Sequence, residues 1–316
     1  MHAENHHDYI HPNTGESNFN ESMYFNFYDR SCRWGGFARV GNRPNEGYAE
    51  VTLALYRPDG TALFQYQRPP LSEHKELAAG GMTFEILEPG RHLRVTYKGP
   101  ALYLARPLEL EDPRRAFTSN PFHDVELALD YYGLSPMYGG ENPEATTSSD
   151  LVFARGHTEQ HVRAVGTLTV GTETVPLHGL GLRDHSWGPR SWQSPAYYRW
   201  LTAEFDEDFG FMASHIHLQS GADLRSGFVF RDGRNELVHH VEIDTEHDPS
   251  SGYHRRIQAR IHTASGVLHV TGEVLSMLPL RNRKDGKVTR IAEGLTQWRV
   301  GNQVGFGWSE YLDQVS

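Results

Sequence analysis

Hydrophobic and polar residues alternate along most of this chain with a period of two, the spacing of strands that bury one face. Tyr24–Tyr28, Gly36–Val40 and Tyr48–Tyr56 are short runs rich in aromatic and β-branched residues. Pro58-Asp59-Gly60 is a turn signal, and Thr61–Tyr66 follows it as a hairpin partner. Met82–Leu87, His92–Tyr97, Ala101–Ala105 and Val125–Tyr131 continue the series, and Val165–Val170 is clear within a strand-like stretch from Phe153 to Thr174. Later runs are Arg199–Phe205, Gly210–His217, Arg225–Phe230, Leu237–Ile243, Ile257–Ile261, Val267–Thr271 and Gly305–Tyr311. No window sustains 3.6-residue amphipathicity, and only Leu71–Leu77 has room for a short helix. Strands recurring roughly every ten residues with turn residues between them predict an all-β chain built as sandwich or barrel.

The chain has 316 residues, long for one core and comfortable for two of about 150 each. Residues 133–150 are rich in Gly, Pro, Ser and Thr and read as a linker or long loop. The expected organisation is an arm over 1–20, a β-domain over 21–150 and a second over 151–316. A faint internal echo supports two related halves. Tyr24 to Gly60 ends Tyr-Arg-Pro-Asp-Gly, Tyr198 to Gly233 ends Phe-Arg-Asp-Gly, and both read strand, turn, strand, strand, turn.

Charge narrows the partners. Thirty Lys and Arg against 40 Asp and Glu leave a net charge of −10, which disfavours nucleic acid and anionic membrane surfaces. The single cysteine, Cys32, permits neither an intrachain disulfide nor a cysteine-rich zinc cluster. The N-terminus is polar and His-rich (His2, His6, His7, His11), with no apolar run of signal or membrane-spanning length, so a cytoplasmic location is expected. A homodimer stays open.

The densest chemistry lies in Gly179-Leu-Gly-Leu-Arg-Asp-His-Ser-Trp-Gly-Pro-Arg-Ser-Trp192. Two Trp side chains so close together predict the wall of a cavity, since each wants a large apolar contact and a partner for its N–H. His185 is suited to giving and taking protons near neutrality. Asp184 points to the opposite face in an extended segment, so it pairs with His185 only if the backbone bends; Arg183 and Arg190 are alternative partners. Trp187 and Trp192 can stack on a substrate or a developing cation, and Arg190 can hold an anionic oxygen. Tyr198, Glu204 and Asp206 are further acids near the same wall, Glu310 closes the final strand and could face inward as an acid, and Trp200 and Tyr28 are further contacts. His215 and His217 share a strand face and could bind metal with His239 or His240, although nothing fixes a third ligand. In the first half Tyr28, Arg39, Asn42, Arg43 and Glu46 form a polar, turn-rich cluster.

Asp184-His-Ser-Trp-Gly188, the aromatic Tyr198-Arg-Trp200 and the late Glu293-Gly and Gly305-Phe-Gly-Trp-Ser-Glu310 resemble one superfamily. It contains the AttH-like proteins, the carotenoid 1,2-hydratases (hydroxyneurosporene synthases) and the fungal Diels–Alderases. Asn20–Tyr28 and Gly41–Gly47 look like a bacterial branch of that group. The resemblance spans nearly the whole chain. It implies two lipocalin-like antiparallel β-barrel or sandwich domains packed together, with an apolar pocket between or within them. No metal and no organic cofactor is implied. In the hydratases a His, a Trp and an Asp handle the proton and the cation. His185 and Trp187 match the first two, while Thr202 stands where the Asp would follow Trp200. The expected function is a cofactor-independent hydratase, lyase, isomerase or cyclase. It would act by acid–base chemistry on a hydrophobic small molecule (terpenoid, polyene or aromatic), with His185, Asp184, Tyr198 and Glu310 as catalytic groups and Trp187, Trp192, Arg190, Trp200 and Tyr28 binding substrate. The alternatives are a non-catalytic carrier of lipids or hydrophobic metabolites and a metal-assisted hydrolase built on His215 and His217.

Overall fold

The structure is a computed structural model that describes residues 3–141, 155–284 and 286–315. Nearly all of its regular secondary structure is antiparallel strand, as the alternation predicts. The chain forms two compact units: residues up to Arg106 with Pro113–Ser191, and Pro107–Asp112 with Trp192 onward.

The first unit holds β1 (Phe19–Asp29), β2 (Trp34–Arg43), β3 (Tyr48–Tyr56), β4 (Ala62–Gln67), β5 (Leu77–Ala79), β6 (Met82–Glu88), β7 (His92–Leu104), β8 (Phe122–Gly133), β9 (Tyr138–Glu141), β10 (Gly156–Val170) and β11 (Glu173–Pro189). The order β4-β3-β2-β1-β11-β10-β8-β7, with β7 paired back to β4, closes eight strands into a ring. An antiparallel barrel of that size is just wide enough for side chains to fill. They do fill it. Met23, Phe25 and Phe27 point inward from β1, and the ring of Phe25 meets Phe84 at 5.0 Å and Tyr131 at 5.1 Å, both edge-on.

The second unit holds β12 (Pro195–Glu204), β13 (Phe209–Leu218), β14 (Asp223–Arg231), β15 (Arg234–Leu237), β16 (His240–His247), β17 (His254–Thr263), β18 (Gly266–Lys284), β19 (Lys287–Val300) and β20 (Gln303–Val315). The order is β15-β14-β13-β12-β20-β19-β18-β17-β16. Val238 donates to the Gly227 carbonyl on β14 and His239 to the His262 carbonyl on β17. One continuous segment therefore leaves one edge of the sheet and joins the other. Leu201, Phe211, Ile257, Ile261, Trp298 and Tyr311 fill the interior.

Both units have one topology: a meander whose first strand pairs with the unit's last strand, β1 with β11 and β12 with β20. The echo between Tyr24–Gly60 and Tyr198–Gly233 falls on these two meanders. Each repeat ends on a glycine in the left-handed region, Gly60 at φ 84° and Gly233 at φ 77°, where a side chain would be strained.

Three details depart from expectation. The units part between Ser191 and Trp192 rather than near 150, because β10 and β11 are needed to close the first ring. Of the expected linker, 142–150 lies outside the described residues, and Tyr138–Glu141 pairs with β10 in the first unit. Leu71–Leu77 is not helical; the α-helix among the described residues is short, Pro113–Ser119.

Candidate active site

Strand β11 carries the conspicuous motif, and it is a 17-residue strand rather than a loop. Its residues therefore alternate between two faces. Register places His185 opposite Met23 and Arg183 opposite Phe25, so Arg183, His185 and Trp187 point into the barrel while Asp184 and Ser186 point out.

The inward group closes one end of the barrel. Glu21, in sequence with the inward Phe19, Met23 and Phe25, lies opposite Trp187 and is fully buried. Its carboxylate meets His11 Nδ1 at 2.8 Å, His185 Nε2 at 3.0 Å and His74 Nε2 at 2.8 Å, and accepts the His11 backbone N–H at 3.0 Å. Burial alone would raise its pKa, but the imidazoles of His11, His185 and His74 hold it far below the usual carboxylate range. His185 donates from Nδ1 to the His7 carbonyl at 2.8 Å. Arg183 holds Asp8 at 2.5 Å and donates to Gln160 Oε1 at 2.7 Å. Trp187 stacks flat on His11 at 3.7 Å. Gly156 sits against its ring, where a β-carbon would lie 2.1 Å from indole carbons. The N-terminal arm, with a 3-10 turn at Asn5–Asp8, thus supplies His7, Asp8 and His11 to this end. His185, expected to move protons for a substrate, is fully buried among Glu21, the His7 carbonyl and the rings of His11 and Trp187.

The outward face is built differently. Direct cross-strand partners align Glu159, Asp184, Tyr24, Arg39 and Thr52 in one row over five strands. The adjacent row runs His157, Ser186, Ser22, Gly41, Glu50. Asp184 bonds His157 Nε2, with Glu159 3.5 Å from the same nitrogen. Burial would lower the pKa of His157, but the carboxylates of Asp184 and Glu159 raise it to about 9. Its side chain is nevertheless 38% exposed, and no described residue bonds its Nδ1. Arg190 donates to Ser186 Oγ at 2.9 Å, and Ser186 Oγ lies 3.2 Å from Ser22 Oγ. Tyr24 stacks on Phe37 at 4.9 Å. Arg39 lies across Gly41, where a β-carbon would fall 2.7 Å from the guanidinium, and reaches Glu50 at 3.2 Å.

Asp184 is thus half of an acid–base pair, but its histidine is His157, two strand positions away across β10. The role of His157 is not legible in the sequence, because the pairing spans 27 residues and depends on register. A signal for the inward cluster is present in the sequence: Glu21 interrupts the inward apolar stripe of β1, and Arg183 and His185 interrupt that of β11. Tyr28 is on the outward face of β1, opposite Leu180 and far from Asp184 along the strand. Trp192 opens the second unit, its carbonyl accepting from Gln314 at 2.8 Å. Tyr198, Trp200 and Glu310 share one face of the second unit, with Trp200 directly opposite Glu310 and Glu310 opposite Glu293. His215 and His217 both turn to Asp223, at 2.6 and 3.1 Å, rather than to His239 or His240. Two other sets have donor atoms within 4.8 Å of one another: His11, Glu21 and His185, and His157, Glu159 and Asp184.

A family model described as a domain of unknown function, DUF7064, matches residues 4–315. A search of curated protein sequences finds no match. Solved structures with the same fold include an AttH-type protein of Nitrosomonas europaea, at 12% identity and TM-score 0.67, covering 99% of this chain and 96% of the other. CghA, solved with Sch210972, aligns at 12% identity and TM-score 0.59 over 95% of this chain and 89% of its own. Kievitone hydratase of Nectria haematococca aligns at 9% identity and TM-score 0.58 over 100% and 96%. These are the structural neighbours that the motif resemblance implies.

Proposed function

We propose that this chain, which belongs to the DUF7064 family, is an acid–base enzyme of the hydratase, lyase, isomerase or cyclase kind acting on a hydrophobic small molecule. The observation that carries the reading is the His157–Asp184 pair. Asp184 and Glu159 keep the ring protonated at neutral pH and orient it through Nε2, leaving Nδ1–H to serve a ligand. A group poised to give a proton, held by a carboxylate that stabilises its charged form, is what protonation of an alkene or enolate needs. Tyr24 and Phe37 set aromatic surface one strand away, where a ring face stabilises developing positive charge. Ser186 and Arg190 offer a hydroxyl and a cation to a polar end of the substrate. Tyr198, Trp200 and Glu310 form a second acid–aromatic group and are the next residues to test.

The fold of kievitone hydratase, which is named for its reaction, makes hydration the first reaction to try. A filled barrel interior weighs against a lumenal carrier. The test is incorporation of solvent deuterium into hydrophobic polyene and phenolic compounds, beginning with whatever copurifies. The protein should deposit one deuteron on carbon, and His157→Gln should reduce the rate by about 10²–10⁴ while the compound still binds. Unchanged turnover in His157→Gln would sink the assignment. Binding with no exchange by the unmodified protein would make it a carrier.

A further inference from the structure

The sealed end of the first barrel holds a second cluster of histidines and a carboxylate, apart from the His157–Asp184 pair. His185 Nδ1 faces the His7 carbonyl, which only accepts, so Nδ1 carries the ring proton. A neutral His185 then turns a bare lone pair at Nε2 toward Glu21 Oε1, 3.0 Å away and also an acceptor. Two lone pairs facing each other in a dry interior cost free energy unless something positive lies between them. His11 brings Nδ1 to the same oxygen at 2.8 Å. His74 is different. Its Nδ1 receives the Asn42 amide, which also donates to the Glu76 carbonyl at 2.7 Å, so His74 Nε2 holds its proton and donates to the other Glu21 oxygen.

Three donor atoms therefore converge: His11 Nδ1, His185 Nε2 and Glu21 Oε1. Each of the two buried ones is steadied from behind, His185 by a carbonyl and Glu21 by the His74 ring and the His11 backbone N–H. Ligating histidines and carboxylates are held in this way, the outer bond fixing tautomer and orientation. With bonds of about 2.1 Å, adjacent ligands of an octahedral ion stand about 3.0 Å apart, close to the 2.8 and 3.0 Å separations here. We propose that His11, Glu21 and His185 bind a divalent first-row transition ion. Two imidazole nitrogens and one carboxylate oxygen suit Zn²⁺, Fe²⁺, Co²⁺ or Mn²⁺. The ion replaces the protons otherwise needed between the rings and Glu21. It staples the arm, through His11, to β1 and β11. The site is independent of the His157–Asp184 reading, being on the opposite face of β11.

The experiment uses the full chain with His2 and His6 changed to Gln, which removes adventitious chelation at the terminus. After passage over chelating resin, bound metal is measured by mass spectrometry of the elements, and Co²⁺ is added while its visible absorption is recorded. One ion per chain is expected, with a ligand-field spectrum of nitrogen and oxygen donors and a melting temperature that falls when the ion is stripped. His11→Ala lies in the arm and leaves the barrel intact; it should weaken binding by at least 10–100-fold. Glu21→Gln should abolish the cobalt spectrum. Less than about a tenth of an ion in a folded chain that shows no cobalt spectrum overturns the proposal. So does an ion whose stoichiometry and spectrum are the same in His11→Ala.

Discussion

Asp184 and His185 are consecutive, yet they belong to opposite faces of β11 and to different chemistries. Inside, His185 and Arg183 spend their polar atoms on Glu21, the His7 carbonyl, Asp8 and Gln160, with no solvent access. Outside, Asp184 holds a histidine that keeps one ring nitrogen for something else. Full burial, with Asp8 and His11 of the arm bonded to Arg183 and Glu21, makes the inner group a fastening for the arm. The outer pair is partly exposed and keeps a ring nitrogen that no described residue bonds, as the proposed acid–base role requires. Residue type alone does not separate the two; solvent access and the count of satisfied atoms do.

The largest effect expected from this contrast is on stability. Arg183→Met leaves the Asp8 carboxylate buried without its cation and should cost about 3–5 kcal/mol in urea unfolding, while the titration of His157 stays where it is. A cost under about 1 kcal/mol would mean that the inner pairing is slack.

Asp184→Asn makes the converse cut. It removes the larger of the two carboxylate effects on His157, so the ring should titrate well below the wild-type value near 9 when followed by NMR. Turnover at neutral pH should drop with it, and the melting temperature should move little.

The pH dependence sharpens the comparison, because a histidine of the second unit is displaced the other way. His157 has its folded pKa raised from 6.5 to about 9, so its stabilisation is complete below about 6.5 and is lost as pH climbs to 9. His254 is buried with Nε2 at Ser309 Oγ, 2.8 Å, and stacks on Tyr311 at 3.9 Å; desolvation lowers its pKa to about 3. Its stabilisation is present above about 6.5 and is lost as pH falls toward 3. His157→Gln should flatten the alkaline limb of the stability profile and leave the acid limb. Loss of both limbs together would mean that neither assignment is sound.

The smallest effect belongs to Ser186→Ala. It removes a buried hydroxyl that receives the half-buried Arg190, and should cost about 1 kcal/mol by thermal melting.

Much of the architecture was legible before any coordinates. Period-two alternation located the strands, and the echo between Tyr24–Gly60 and Tyr198–Gly233 fell on equivalent meanders. The residues of β18 and β19 around 271–300 are not legible as strands, because their polar faces blur the alternation. Within the site, Asp184 was singled out correctly as pointing away from His185, since adjacent strand residues face opposite ways. His157, Glu21, His74 and Asp8 were not, because each acquires its role from a partner at least 27 positions away, except for His11 against Glu21 across the start of β1.

Alone, the sequence determined which positions form strands, which side chains share a face within each strand, and that two similar β-modules follow one another. Only the tertiary structure decided which strands are neighbours and in what register. That choice set Asp184 beside His157, ran the arm's Asp8 and His11 into the barrel end, and sealed His185. The reason is physical: alternation is a local consequence of backbone geometry, whereas register is won by the summed packing and hydrogen bonding of whole strands.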